Sequence, residues 1–212
     1  MPLQNRVDPF GAIFRSPARG TMLGNRGGVL HNDRRQIVRP FLGRRWIACL
    51  LQFKGIRRTV MTPGRYTELF FLDEAVAFAA GHRPCAECRR ERFVAFRNAW
   101  QRRCGARRRG LVLAPEMDDE LHHARVNARR EKVTYRAALN LLPDGCFVRI
   151  DGVAWLVWQD ALFLWTPAGY AGRVRRPRRR DVTVLTPRPI LECFRAGYRT
   201  EVHESMRMLQ EN

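Results

Sequence analysis

With 212 residues, 45% of them hydrophobic and 10% aromatic, the chain is long and apolar enough to bury a core, which excludes disorder along its whole length. Its 39 Lys and Arg against 20 Asp and Glu give a formal charge of +19, far from what a small-molecule enzyme needs and suited to a polyanionic partner such as nucleic acid. Only Lys54 and Lys132 are lysines, and arginine-rich coding can exchange one base for the other, but the excess of base over acid survives that exchange.

Six cysteines without a charged and apolar leader at the start point to a reducing compartment, with cytoplasm the expected location. No window approaches the ~18 uncharged apolar residues of a membrane span. In that setting cysteines are candidates for metal binding or chemistry more than for disulfides.

Residues 1 to 30 are punctuated by Gly11, Gly20, Gly24, Gly27 and Gly28 between arginines. So many glycines predict turns and short strands, and neither a P-loop ending nor a dinucleotide fingerprint is present. Trp46-Ile47-Ala48-Cys49-Leu50-Leu51-Gln52-Phe53 is a strand-forming apolar run, and Arg57-Arg58-Thr59-Val60-Met61 reads as its hairpin partner. Leu69 to Leu72 is the next strand. Asp73 follows as a helix N-cap, with Glu74 in the first turn and Ala75 to Ala80 as good helix formers. Gly81 ends that helix in the left-handed conformation.

Pro84 then sets up a turn that presents Cys85 and Cys88 just before a helix whose stripe is Phe93, Phe96, Ala99 and Trp100. The helix dipole and Arg83, Arg89 and Arg90 favour thiolate over thiol at this position. Two thiolates at Cys-x-x-Cys spacing supply two corners of a zinc tetrahedron. A redox pair would sit in a thioredoxin-like alternation of strands and helices, which is not found, and two unrelated buried cysteines remain the plain alternative.

Phe70, Phe71, Glu74, Ala75, Ala79, Ala80 and then Gly81-x-Arg83-Pro84-Cys85-x-x-Cys88-Arg89 resemble the second half of the zinc-binding N-terminal domain of Ada-type DNA alkylation-repair proteins. The likeness covers about a tenth to a seventh of the chain. It implies zinc binding by Cys85 and Cys88 and a role in DNA repair. In that family two upstream cysteines four residues apart complete the site, and one of them accepts a methyl group from a DNA phosphotriester. Here only Cys49 lies upstream, Phe53 stands four residues beyond it, and Arg90 takes the place commonly held by proline. The longer string from Tyr66 to Ala75 also resembles a family of uncharacterised bacterial proteins, which supplies no function.

The metal expectation is therefore zinc held by Cys85 and Cys88, with Cys49 as third ligand. For the fourth corner His31 is preferred over His82, whose closeness to Cys85 would demand a tight loop; water at that corner would mark a catalytic metal.

Beyond Trp100, arginines accumulate at Arg102, Arg103, Arg107 and Arg108. Pro115 to Arg125 reads as a helix with an acidic start, in which Asp118, His122 and His123 offer an oriented general base or, more plainly, a polar surface. Asp151-Gly152 is a two-residue hairpin signal between Cys146–Ile150 and Val153–Trp158, and Ala161–Trp165 continues an antiparallel meander. Thr166 to Tyr170 is expected to break it, leaving an arginine-dense mobile loop from Arg173 to Arg180. Val182–Leu185 returns as a strand, and Pro189–Ala196 as a helix stopped by Gly197.

The expected architecture is α+β: a zinc-knuckle module of short strands and helices at 1–110, then a helix and antiparallel sheet at 111–212, the halves free to share one core. The leading functional expectation is a zinc-binding, nucleic-acid-binding protein, with DNA preferred to RNA. Phosphate contacts are assigned to Arg89, Arg90, Arg102, Arg103, Arg107, Arg108, Arg175, Arg176, Arg178, Arg179 and Arg180. The alternatives are a nucleic-acid-cleaving or modifying enzyme with structural zinc and catalysis at residues 118 to 123 (Asp118, His122, His123), a reactive metal-bound Cys49, or a non-catalytic adaptor.

Overall fold

The computed structural model of the protein describes residues 1–55, 59–105 and 110–211. Helices take up 26% and strands 28% of the chain, in two sheets, which makes it α+β.

The glycine-punctuated start forms β1 (Gln4–Val7), β2 (Ile13–Arg15) and β3 (Met22–Arg26). They are followed by β4 (Trp46–Leu50), β5 (Leu69–Phe71), helix α1 (Glu74–Ala79) and the two-residue β6 (Arg83–Pro84). These strands build one mixed sheet in the order β2-β1-β5-β3-β4-β6, parallel at β1/β5 and β4/β6. Two long helices follow, α2 (Arg90–Cys104) and α3 (Ala114–Arg125). The second sheet is antiparallel throughout, with β7 (Tyr135–Ala138), β8 (Phe147–Ile150), β9 (Val153–Trp158), β10 (Ala161–Thr166), β11 (Gly169–Arg175) and β12 (Asp181–Val184) in the order β11-β10-β9-β8-β12-β7. Helices α4 (Arg188–Arg195) and α5 (Glu204–Glu211) close the chain.

The second sheet is buried on both faces, and its period of two divides the apolar residues between two cores. Val148, Ile150, Val157, Leu162, Val182 and Val184 pack with Phe96 and Trp100 of α2 and Ile190 and Phe194 of α4. Phe147, Leu156, Phe163 and Tyr170 face the other way, against α1 and the first sheet. Both cores draw residues from either side of position 110.

Helix α1 is buried along its whole length, which its run of alanines permits. Asp73 caps it by accepting from Val76 N at 2.9 Å, and its other oxygen accepts from Tyr170 Oη at 2.8 Å and His203 N at 2.9 Å. Glu74 accepts from Arg89 Nη1 and Tyr198 Oη, both at 2.7 Å, and from Glu201 N at 2.9 Å. Two adjacent carboxylates thus fasten α1 to the C-terminal segment, each with enough donors to remain buried.

Asp151 and Gly152 both adopt positive φ (51° and 83°), the turn that Asp-Gly predicts, and Gly197 has φ 95° past the end of α4. Two expectations are corrected. The run at 57–61 is not the partner of β4: residues 56–58 lie outside those described, Thr59 to Met61 form no strand, and both sides of β4 are already paired, with β3 and β6. Nor does the meander break at Thr166–Tyr170. Thr166 pairs with Gly169 across a turn, and β11 runs on to Arg175 beside β10, so Arg173 and Arg175 stand on a strand and not in a loop. The hydrogen-bonded edge of β10 outweighs the repulsion among arginines whose heads reach solvent. Among the described residues no helix is long and apolar enough to cross a membrane.

Candidate metal centre

Cys49 sits near the end of β4, where alternation buries Trp46 and Ala48 and leaves Ile47 and Cys49 half-buried. The chain reaches Cys85 by a tight route. Gly81 leaves α1 with φ 87°, and a Cβ there would lie 2.6 Å from Arg125 Cδ, so only glycine fits. β6 then joins β4 in parallel, and Cys85 N donates to Ala48 O at 2.9 Å. That bond sets Cys85 beside Cys49, and the turn into α2 returns Cys88 to the same spot. The Sγ atoms of Cys49, Cys85 and Cys88 lie within 4.8 Å of one another and could hold a metal ion. In a zinc tetrahedron with Zn–S of about 2.3 Å, sulfurs stand roughly 3.8 Å apart, so the donors fit.

The electrostatics suit a metal as well. The Cys85 thiol is pulled down to about 5, first by the Cys49 thiol and then, against the opposing effect of burial, by the backbone N–H groups of Glu87 and Cys88. Cys49 is pushed far up, first by its hydrogen bond to Cys85 and then by burial, and Cys88 is raised by burial in spite of a donor at Leu50 N. Without metal the cluster is one thiolate flanked by two thiols; a soft divalent ion would displace the remaining protons.

Neither histidine joins it. His31 is buried, with Nδ1 2.6 Å from Thr67 Oγ1 and Nε2 3.3 Å from Thr62 O. Because the Thr62 carbonyl can only accept, the neutral ring carries its proton on Nε2, and Nδ1 accepts from Thr67 Oγ1, which itself accepts from Leu30 N at 2.8 Å, so both nitrogens are engaged. His82 is fully buried, its Nδ1 3.3 Å from Ala77 O and its Nε2 accepting from Arg26 Nε at 3.4 Å. Burial, then Arg26 and Arg125, hold its pKa well below the ordinary value. Among the described residues no fourth cysteine, histidine or carboxylate joins the three sulfurs, and residues 56–58 and 106–109 contain none of those types.

Two polar structures support the centre, and neither left a signal in the sequence. Arg83, two residues before Cys85, forms a bidentate, buried pair with Asp118 of α3 (Nε–Oδ1 2.8 Å, Nη2–Oδ2 2.7 Å). Trp46, three residues before Cys49, has the guanidinium carbons of both Arg26 and Arg125 over its ring, 4.4 and 4.0 Å from the centroid.

That pairing also decides the segment at 118 to 123. Asp118 has both oxygens on Arg83, so it does not orient a histidine. His122 stacks edge-on against Phe41 at 5.4 Å, with its pKa lowered by burial and by Arg125 and Arg44. His123 turns to Asp119 O at 2.8 Å.

The arginines divide as sharply. Arg89 is buried between Glu74 (2.7 Å) and Glu201 (2.5 Å). Arg103 lies over Trp100 and pairs with Glu120 (2.5 Å) and Glu192 (2.7 Å). Arg102 bonds Ala196 O, Arg176 bonds the carbonyls of Leu142 and Gln159, and Arg180 pairs with Asp151. These are structural contacts, and Arg89 in particular is not free to meet phosphate. Arg90, Arg175, Arg178 and Arg179 are exposed without an ion pair among the described residues, while Arg107 and Arg108 lie outside them.

No family model, curated protein or solved structure matches the chain.

Proposed function

We propose that the protein is a zinc-binding, nucleic-acid-binding protein in which Cys49, Cys85 and Cys88 hold the ion and exposed arginines meet the phosphate backbone. The observation that carries the reading is the convergence of three thiols from two distant segments into one cluster of metal-ligand spacing. Thiolates select zinc over hard cations, and the N–H groups aimed at Cys85 are the outer shell expected of a zinc knuckle. With no fourth protein donor beside the triad among the described residues, the remaining corner falls to water or to an atom from outside the chain, as in sites that do chemistry. The charge of +19 supplies the polyanion preference. The Ada resemblance adds DNA over RNA, a repair role, and a metal-bound Cys49 thiolate as the candidate nucleophile.

The alternative that puts catalysis at Asp118, His122 and His123 loses its base-orienting carboxylate to Arg83.

Metal analysis of purified protein tests the centre. One zinc per chain is expected, lost in Cys85→Ser and Cys88→Ser and weakened in Cys49→Ser; full retention in Cys49→Ser removes that residue from the site. Affinity for a DNA duplex should fall steeply with added salt. A flat salt dependence sinks the polyanion reading.

A further inference from the structure

The register of the first sheet places residues far apart in sequence on one face. Cys49 pairs with Leu23, Leu23 with Phe70, and Phe70 with Arg6. Directly paired residues point to the same side of a sheet, so the sulfur of Cys49 and the guanidinium of Arg6 belong to one surface. Phe70 is two strands from Cys49, roughly 10 Å at about 4.8 Å per strand.

At the Arg6 end of this row opens a cavity of about 500 Å³, lined by Arg6, Ser16, Arg19, Leu51, Val60 and Phe70 among others. Its size is that of an ordinary small-ligand site. Arg6 is fixed there: Nε donates to Ala18 O and Nη1 to Asn5 Oδ1, both at 2.6 Å, and its guanidinium carbon lies 4.9 Å from the Phe70 ring centroid. Burial and the nearby Arg19 both lower its pKa. No carboxylate lines the cavity, and neither arginine has an ion pair among the described residues. Of the other confined arginines, Arg83, Arg89 and Arg103 meet acids (Asp118, Glu74, and Glu120 with Glu192), whereas Arg26 and Arg125 donate to backbone carbonyls and lie over the Trp46 ring. The half-buried Arg6 and the exposed Arg19 thus leave two guanidiniums at one largely apolar cavity with no acid lining it, which suits a ligand that brings its own negative charge. Phe70, Leu51 and Val60 offer that ligand an apolar surface as well, one of them aromatic.

We propose that this cavity seats one unstacked nucleotide of a nucleic-acid strand, its phosphate on Arg6 and Arg19 and its base against Phe70 and Leu51. The assignment rests on the nucleic-acid reading above and adds where the strand lies: along the face that carries the three cysteines, with the seated base roughly 10 Å from Cys49 by strand spacing. The chemistry is shared by a free nucleotide, which the experiment separates.

Fluorescence anisotropy with a labelled oligothymidylate gives the test, with unlabelled thymidine monophosphate and inorganic phosphate as competitors. Arg19→Gln removes an exposed charge, Leu51→Trp fills the cavity, and Phe70→Leu removes the stacking face. Zinc content and circular dichroism confirm that each variant is folded. Each substitution is expected to weaken strand binding by about 5- to 100-fold, the range for loss of one stacked base, and more than Arg178→Gln does. Unchanged strand affinity in both Arg19→Gln and Leu51→Trp overturns the cavity assignment while a salt-dependent wild type keeps the nucleic-acid reading intact. A wild type that binds no nucleic acid at low salt overturns both. Thymidine monophosphate bound as tightly as the oligonucleotide makes the occupant a free nucleotide and overturns the strand assignment.

Discussion

Two regions carry residues of catalytic type, the three cysteines at the β4–β6 edge and the Asp118–His123 stretch of α3. In the first, residues 49, 85 and 88 meet because a parallel strand pair and one turn bring them together. In the second, residues adjacent in sequence diverge: Asp118 turns inward to Arg83, His122 to Phe41 and His123 to its own helix. Nearness in sequence on a helix spreads side chains by about 100° per residue, whereas strand pairing aligns them. Convergence, more than residue type, separates the candidate centre from a helix surface that happens to be polar.

The largest effect that would break this contrast is metal loss. Cys85→Ser should abolish zinc binding, and at free zinc a thousandfold above Kd the wild type should gain about 4 kcal/mol that the variant lacks. A chelator should therefore lower the wild-type melting temperature and leave the variant's unchanged; equal shifts would separate the triad from any metal.

Next comes Asp118→Asn, which leaves Arg83 buried without its carboxylate and should cost about 3 kcal/mol in urea unfolding. A stable variant with altered chemistry would restore Asp118 as a functional group.

Zinc uptake should also release protons. Above pH 5 Cys85 is already a thiolate while Cys49 and Cys88 hold theirs, so about two protons should appear per zinc at neutral pH. As pH falls through 5, Cys85 becomes protonated, the count rises toward three and affinity drops faster. Titration in weakly buffered solution with a pH indicator measures it, and fewer than one proton would remove the thiols from the site.

The smallest change is expected from His122→Ala, under about 1 kcal/mol in stability and without effect on zinc content. Loss of zinc or of a nuclease activity in that variant would reverse the comparison.

Local signals in the sequence were enough for the elements that contain their own reasons. Asp73 and Gly81 bracket α1, Asp151-Gly152 turns β8 into β9, and Gly197 ends α4, because caps and positive-φ turns are short-range chemistry. Cys85 and Cys88 were legible for the same reason, as a spacing within one turn. The likeness of Cys49 to a third ligand came from its place before the knuckle, and only the β4–β6 ladder brings it into contact.

What tertiary structure alone decided is the fate of charges and the pairing of strands. The sequence carries nothing that distinguishes Arg89, clamped by Glu74, from the exposed Arg90 beside it, since a guanidinium's role is set by which carboxylate the fold delivers. His31 reads as a ligand until Thr67 and Thr62 are seen to occupy its ring. A strand's period shows which face is buried but not which edge it joins, so the run at 57–61 resembles a partner for β4 although β3 and β6 take both its edges. Composition and turn chemistry thus specified an α+β chain with a two-cysteine knuckle and an excess of positive charge. Long-range packing, where each side chain's partner is many residues away, made that knuckle a three-thiol centre and gave the first sheet a face with a cationic cavity beside it.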